Sequence, residues 1–287
     1  MPLPTTDTVV SYPAGATTGT ATVLHTETLD SGLIAVLLDS TPCHPVDAGW
    51  PDQGPDRATI SWEQVNSEVV DCVVAATDGI RLYLASEIPV RKGAEGWAFV
   101  VAHLVEVAPP VGTEVTVAVD AEHRRALSLG HTACHLASLA LNRALSDRWT
   151  KELPTDALGS PNFDQAANDT STIVPGGSFD TYRLNKSLRR KGFTTEGFAD
   201  ALPAVTDAVN AQLADWVAAG SAVRIDRDGD RLTDRRSWVC ALPDGEAVIP
   251  CGGTHATSLS ELGTVTVTLE LDDAEGTPVF TMRTQTA

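Results

Sequence analysis

The sequence predicts an α+β protein in which an N-terminal small β-barrel precedes a domain of mixed helices and strands. Residues 19–119 hold short β-branched segments, separated by Gly, Pro or Asp turns at the spacing of a small barrel. From Ala121 the pattern becomes helical, and it is strongest across His131–Leu145, where apolar residues recur at three-to-four spacing. We therefore predict a β-barrel domain at residues 1–119 and an α+β domain at residues 120–287.

Each element follows from a local pattern. The strands predicted in the first domain are Ala21–His25, Leu33–Leu38, Val69–Ala75, Ile80–Ala85, Ala98–Leu104 and Val115–Val119. The segment Leu153–Ser178 is rich in Pro, Gly, Asn and Asp and has no periodicity, which predicts a long loop. A second helix is predicted over Thr195–Ala219, capped by Thr194 or Thr195, ended by Gly220 and kinked or broken at Pro203. Four more strands are predicted at Ala222–Asp226, Ser237–Leu242, Thr264–Leu271 and Val279–Thr284.

Composition limits the classes of protein to consider. The chain has 287 residues, of which 43% are hydrophobic, so it can bury a substantial core. No stretch approaches about 18 uninterrupted apolar residues, and the N-terminus has no signal-peptide pattern, so we expect a cytoplasmic protein without a membrane span. Five scattered cysteines in such a chain favour thiols or metal ligands over disulfides.

Charge argues against general nucleic-acid binding, with one local exception. The net charge of −18 repels polyanions at long range. Within residues 183–191, however, there are five cations and no acid, namely Arg183, Lys186, Arg189, Arg190 and Lys191. This cationic segment is either a solvated surface or a local anion site.

Two short motifs indicate a metal site. His131 and His135 lie four residues apart in the helical pattern, as HTACH, so both imidazoles lie on one helix face and can reach one ion. Far downstream, PCGGTH places Cys251 and His255 four apart around two glycines, where the backbone can turn sharply. Three imidazoles and one thiolate form a sensible tetrahedral zinc set, in which Cys134 is the rival ligand.

The same motifs resemble a known family. HTACH followed by LASLAL, and PCGGTH followed by ATSLSELG, resemble the editing domain of alanyl-tRNA synthetase and its free-standing relatives, the alanyl-tRNA editing proteins. LLDSTPCHP (37–45), VAVDAEHRR (117–125) and DAVNAQLADWVAAGSAV (207–223) are similar to further segments of that family. The resemblance covers roughly residues 20–145 and 179–287.

The resemblance implies a function. It implies one zinc ion at His131, His135, Cys251 and His255, and hydrolysis of the ester of alanine tRNA that is mischarged with serine or glycine. It places Thr41 where the family's threonine helps to read the substrate hydroxyl. It also places Gly252, Gly253 and Thr254 at the turn beside the metal. Since no separate synthetase domain is evident, we expect a trans-acting, free-standing editor that binds tRNA. We expect the cationic segment to contact the RNA backbone. We also expect a substrate cavity between the two domains, in which Thr41 faces the metal.

One segment departs from the family pattern. The family usually has Gly-Gly-Gln after the barrel proline, whereas this chain reads AGWPDQG from Ala48 to Gly54. Trp50 replaces the family glutamine, and Gln53 follows three residues later. Because this segment faces the substrate in the family, the departure bears on amino-acid specificity.

The chemistry leaves three functions open. Zinc can activate water and polarise an ester carbonyl, which suits an aminoacyl-tRNA deacylase. A four-ligand site is, however, typical of structural zinc, so the ion either expands its coordination or mainly positions the substrate. The alternatives are a zinc-stabilised module that binds tRNA or aminoacyl compounds, and a metal-dependent hydrolase of small acyl esters.

Overall fold

The computed structural model describes residues 2–274 and 277–287 and divides the chain into two compact units. Unit 1 comprises Met1–Arg124, Arg227–Arg236 and Gly252–Thr254. Unit 2 comprises Arg125–Asp226, Ser237–Cys251 and His255–Ala287. The protein is mixed α and β, and most of its regular structure is sheet.

The elements are as follows, in chain order. The first nine strands are β1 Val9–Val10, β2 Thr18–Thr28, β3 Ile34–Leu38, β4 Ser40–Thr41, β5 Ala58–Trp62, β6 Val65–Thr77, β7 Leu82–Leu84, β8 Ala98–Val105 and β9 Glu114–Val119. The α-helices of the described residues are α1 Ala121–Ala144, α2 Phe163–Ala167, α3 Lys186–Arg190 and α4 Phe198–Ala219. The remaining strands are β10 Asn168–Val174, β11 Gly177–Arg183, β12 Val223–Arg227, β13 Arg236–Leu242, β14 Gly245–Pro250, β15 Val265–Ala274 and β16 Thr277–Thr286.

Unit 1 is built on a seven-stranded antiparallel sheet. Its strand order is β5-β9-β2-β3-β8-β6-β7, and β5 also pairs with β6. The alternation of buried valines with exposed residues in β9 places Val115, Val117 and Val119 in one core. Every residue of β8 is buried, because apolar clusters cover both faces of this strand.

A buried ion pair fixes the loop after β4. The guanidinium of Arg124 donates from Nε and Nη2 to the two carboxylate oxygens of Asp56, and Nη2 also donates to the carbonyl of Pro42 (2.8 Å). Asp56 in turn accepts the backbone N–H of His44. Both charged groups are almost fully buried, so each depends on the other for the solvation that water would otherwise provide.

Unit 2 has a four-stranded sheet, β10-β11-β16-β15, and a three-stranded sheet, β12-β13-β14. Helix α4 packs on β15, an edge strand, and the side-chain amide of Asn210 forms hydrogen bonds with the backbone of that strand. Its Nδ2 donates to the carbonyl of Val267 (2.9 Å), and its Oδ1 accepts the N–H of Val267 (2.7 Å). The core of this unit contains Trp216, Trp238 and Phe280.

Most predicted elements are confirmed, with three corrections. The long loop predicted over Leu153–Ser178 is wrong, because this segment contains α2, β10 and the start of β11. Strands β1, β4, β5 and β14 and helix α3 were not predicted. Helix α4 begins after Gly197, beyond the predicted threonine caps, and continues through Pro203, which lies in its second turn. Among the helices that the structure describes, none has the length and apolarity needed to cross a membrane.

Candidate metal centre

Helix α1 supplies two of the candidate ligands. It begins after Asp120, whose carboxylate accepts the N–H of His123 (3.0 Å) and so caps the first turn. His131 and His135 stand one turn apart, with ring centroids 4.9 Å from each other. The residue before His131 must be glycine, because a Cβ at Gly130 would come within 2.6 Å of the backbone of the β10–β11 turn. Close packing therefore fixes the helix where it carries the first ligand.

The other two candidate ligands follow β14. Sγ of Cys251 lies 3.5 Å from Nε2 of His131 and 3.2 Å from Nε2 of His255. One donor atom from each of His131, His135, Cys251 and His255 lies within 4.8 Å of the other three. All four residues belong to unit 2. The structure therefore brings together the four ligands that the two motifs predict.

The donor set fits a metal ion. Tetrahedral zinc would separate a sulfur and a nitrogen ligand by about 3.5 Å, which agrees with the distances from Cys251. Nε2 of His135 is buried and has no hydrogen-bond partner among the described residues. A buried imidazole nitrogen without a partner is costly unless something binds it, and an ion held by the neighbouring donors would do so. The group can thus bind a metal ion.

Burial and the neighbouring charges favour the deprotonated forms of Cys251 and His255, which are the forms that bind metals. Burial would raise the pKa of the Cys251 thiol, but the imidazoles of His131 and His255 outweigh it and hold this pKa well below the ordinary value. Burial and the charge of His131 lower the pKa of His255 to about 3. At neutral pH the cluster therefore offers a thiolate and a neutral imidazole, which are the protonation states that bind metals.

Thr132 sets the tautomer of His255, a role that the motif did not predict. Its hydroxyl donates to the carbonyl of Ser128 (2.9 Å), so its oxygen must accept from Nδ1–H of His255 (3.3 Å). The same oxygen accepts the N–H of Ala256 (3.0 Å). With its proton on Nδ1, His255 has its Nε2 lone pair available on the side of Cys251.

Cys134, the rival ligand, is not in the donor group. Its thiol lies 3.6 Å from Oδ1 of Asp180, in a buried network in which Ser171 (2.6 Å) and Ser178 (2.8 Å) also donate to that carboxylate. Burial raises the pKa of Cys134 well above the ordinary value, which disfavours the thiolate that a metal requires.

Trp238, also unpredicted, packs against the ring of His135 with centroids 5.2 Å apart.

Thr41 lies in unit 1, where it is 2% exposed. Its Oγ1 is 2.8 Å from Nε2 of His103 and accepts the N–H of Cys43 (3.1 Å). Nδ1 of His103 faces the carbonyl of Val36 (3.2 Å) and must donate to it, so in the neutral ring Nε2 accepts the Thr41 proton.

The remaining predicted site residues lie in two places. Gly252, Gly253 and Thr254 belong to unit 1, and Thr254 is buried and hydrogen-bonded to Gln53. The cationic segment spans the end of β11 and all of α3. Three of its side chains make contacts with the protein itself: Arg183 pairs with Asp169, Arg189 donates to the carbonyl of Leu184, and Lys191 donates to that of Ala166. Lys186 and Arg190 are exposed.

Comparison with known proteins identifies what this chain resembles. No protein-family model matches it. The alanine–tRNA ligase of Frankia casuarinae is 26% identical over 252 residues, which cover 85% of this chain and 23% of that protein. The alanine–tRNA ligase of Haloquadratum walsbyi is 23% identical over 265 residues, 92% of this chain and 24% of its own length. That of Parafrankia sp. is 26% identical over 251 residues. The chain thus spans about a quarter of these relatives and resembles a part of alanine–tRNA ligase, which confirms the predicted resemblance.

The Asp180 network predicts a pH dependence of stability. Burial raises the pKa of Asp180 from 3.8 to about 6. A carboxyl whose folded pKa is raised contributes stability that is complete below about pH 4 and is lost as the pH rises through 6. Asp180→Asn should therefore shrink the difference between the free energies of unfolding at pH 5 and pH 8 by roughly 1 kcal/mol. Urea denaturation at both pH values measures it, with wild type and variant under the same metal conditions.

The control for Asp180 is Asp207→Asn, an exposed position on α4 that changes the net charge equally. If Asp180→Asn and Asp207→Asn shift the pH dependence alike, the buried network is not its origin.

Proposed function

We propose that this chain hydrolyses aminoacyl-tRNA, namely alanine tRNA mischarged with serine or glycine, at a zinc site formed by His131, His135, Cys251 and His255. The supporting observation is the joining of these four donors in a chain that resembles a part of alanine–tRNA ligase over 85–92% of its length. That resemblance supports a role related to tRNA. Zinc is proposed over other metals because imidazole and thiolate together suit it well.

The proposal includes the wider architecture predicted from the sequence. We propose that the cycle of pairings through β5, β9, β2, β3, β8 and β6 is the small β-barrel. The division into domains at residues 1–119 and 120–287 and the cytoplasmic location also stay predictions.

The proposed chemistry needs an activated water and a stabilised ester carbonyl. Bound zinc would act as a Lewis acid and lower the pKa of water. The protein's own contribution is to hold its donors in the deprotonated state and to exclude bulk water from them. His131 and Cys251 are 1% and 7% exposed, so the field around the donors is only weakly screened.

Thr41 is the proposed reader of the amino-acid side chain. Its hydroxyl proton is directed to His103 and one lone pair is directed to the N–H of Cys43, so one lone pair remains. This arrangement would accept a hydrogen bond from a substrate hydroxyl. Serine carries such a donor, whereas glycine and alanine do not.

A second function is favoured by one observation. Four protein donors complete a tetrahedron, which is the arrangement of structural zinc. The chain would then be a zinc-stabilised module that binds tRNA or aminoacyl compounds without cleaving them. Hydrolysis of small acyl esters is the third possibility, and activity on free seryl esters but not on tRNA would identify it.

Removal of a ligand tests the metal centre. Cys251→Ala and His135→Ala should each bind metal at least 100-fold more weakly, because each leaves an open position in a four-donor site. Elemental analysis and competition with a chromophoric chelator measure the stoichiometry and the affinity. The matched control is Cys240→Ala, which removes a buried thiol outside the donor group. Stoichiometric zinc retained in both ligand variants would exclude these ligands.

Substrate selectivity tests the reaction. We expect rapid hydrolysis of seryl-tRNA for alanine, slower hydrolysis of the glycyl ester and little of the alanyl ester. A site built to bond a hydroxyl discriminates strongly against analogues that lack it. Thr41→Val should lower kcat/KM for the seryl ester roughly 10- to 100-fold, and for the glycyl ester much less.

Two results would contradict this view of selectivity. Equal rates on seryl and alanyl esters would remove Thr41 from the role of reader while leaving hydrolysis intact. Binding of tRNA without any turnover, by a chain with a full metal complement, would favour the binding module.

The cationic segment is the proposed contact to the tRNA backbone. Because Lys186 and Arg190 are exposed on α3, Lys186→Ala/Arg190→Ala should raise KM for tRNA. Each lost phosphate contact lowers the slope of log affinity against log salt by about 1. Hydrolysis of a minimal aminoacyl-adenosine should be unchanged. The control, Arg57→Ala/Arg91→Ala, removes two exposed cations elsewhere. Equal tRNA kinetics and salt slopes in the two double variants would assign the segment to a solvated surface.

A further inference from the structure

The segment that departs from the family pattern contains an exposed tryptophan and a buried glutamine. Trp50 is 68% exposed, and its indole N–H donates to the carboxylate of Asp52 (3.0 Å). Gln53, three residues later, is 1% exposed. The residue that replaces the family glutamine therefore points to solvent, and a glutamine from the next turn is the one that is buried.

The side-chain amide of Gln53 forms two hydrogen bonds with Thr254, one to its hydroxyl and one to its backbone N–H. Its Nε2 donates to Oγ1 of Thr254 (2.9 Å), and its Oε1 accepts the backbone N–H of Thr254 (2.9 Å). Thr254 itself is 4% exposed, so water does not compete with either bond. A pair of bonds to one backbone and one side-chain atom fixes the position and the orientation of that residue.

Thr254 lies between two of the candidate metal ligands in the sequence. It directly precedes His255 and follows Cys251 by three residues, so it lies in the turn that joins two metal-site donors. Gly252 in the same turn has no atom within 4 Å of the place where a Cβ would be. Two glycines give the backbone of this turn conformational freedom, and the bonds from Gln53 restrain it.

We propose that Gln53 is a positioning residue for the metal centre. It acts through Thr254, by limiting the conformations of the Cys251–His255 turn to the one in which both donors reach the same ion. The inference rests on the metal-binding part of the proposed function and not on the identity of the substrate. Residues that orient metal ligands typically contribute 10- to 100-fold to metal affinity.

The test compares Gln53→Met with Trp50→Ala in the full chain. Methionine keeps the volume of glutamine and removes both hydrogen bonds. Zn²⁺ affinity is measured by chelator competition, and the ligand geometry by the visible and near-ultraviolet spectrum of the Co²⁺-substituted protein. We expect Gln53→Met to bind Zn²⁺ about 10- to 100-fold more weakly and to change the Co²⁺ bands. We expect Trp50→Ala to match wild type in both measurements.

Two further variants separate positioning from general stability. Thr254→Val removes one of the two bonds and should weaken Zn²⁺ binding, while Thr254→Ser should restore it. The double variant Gln53→Met/Thr254→Val should lose no more affinity than Gln53→Met alone, because both changes remove the same contact. Thermal unfolding of the metal-free proteins shows whether a loss of affinity merely follows a loss of fold.

The outcomes are distinct. Wild-type affinity and Co²⁺ spectrum in Gln53→Met would overturn the inference and leave the metal centre intact. An equal loss in Trp50→Ala would overturn it as well. If Gln53→Met does not fold, wild-type Zn²⁺ affinity and an unchanged Co²⁺ spectrum in Thr254→Val would overturn the inference as well. A wild-type chain that binds neither Zn²⁺ nor Co²⁺ would instead refute the metal centre itself.

Discussion

The donor atoms of three imidazoles and one thiol all lie within 4.8 Å of one another, and the surrounding structure is arranged to keep them there. Such groups are costly to bury beside one another unless they bind something in common. Within the described part of the chain Nε2 of His135 has no hydrogen-bond partner, and the pKa of Cys251 is low; both follow from that arrangement. The donors come from two segments about 120 residues apart, so the fold must hold a helix and a turn in register to within a few tenths of an ångström.

The two segments are held by different means. Helix α1 is fixed by packing, since Gly130 allows the β10–β11 turn to approach its backbone directly beside His131. The turn after β14 has two glycines, and hydrogen bonds restrain its backbone. Thr132 reaches it from the helix through His255 and Ala256, and Gln53 reaches it through Thr254. The helix is thus positioned by close backbone packing, whereas the turn is positioned by hydrogen bonds from other segments.

The donor set was predictable from the sequence, but most of what supports it was not. Four-residue spacing on a helix fixes the relative position of His131 and His135 whatever the rest of the fold does. The roles of Thr132 and Gln53 depend on partners 123 and 201 residues away, and no local pattern carries such pairings. The motif directs attention to Trp50, whereas the buried side chain that contacts Thr254 is Gln53, three residues later.

The fold shows the same division. Strands with a buried valine on every second residue, such as β9, were evident from alternation. The sequence predicts a loop at β10 because five of its seven residues are Asn, Asp, Ser or Thr. Its identity as a strand comes from pairing with β11, which is a tertiary contact. Without that hairpin, α1 would have no neighbour against which Gly130 is needed.

The number of protein ligands on the ion determines how it could take part in hydrolysis. A tetrahedral ion held by four protein donors has no vacant position, and an anionic thiolate among those donors reduces the positive charge available to polarise a substrate. If the chain is a hydrolase, the ion must accept a fifth ligand, or the chain's own dipoles must carry more of the work at the ester carbonyl. The segment that carries Cys251 and His255 is restrained by side-chain hydrogen bonds from Gln53 and Thr132, whereas packing at Gly130 fixes the helix that carries His131 and His135.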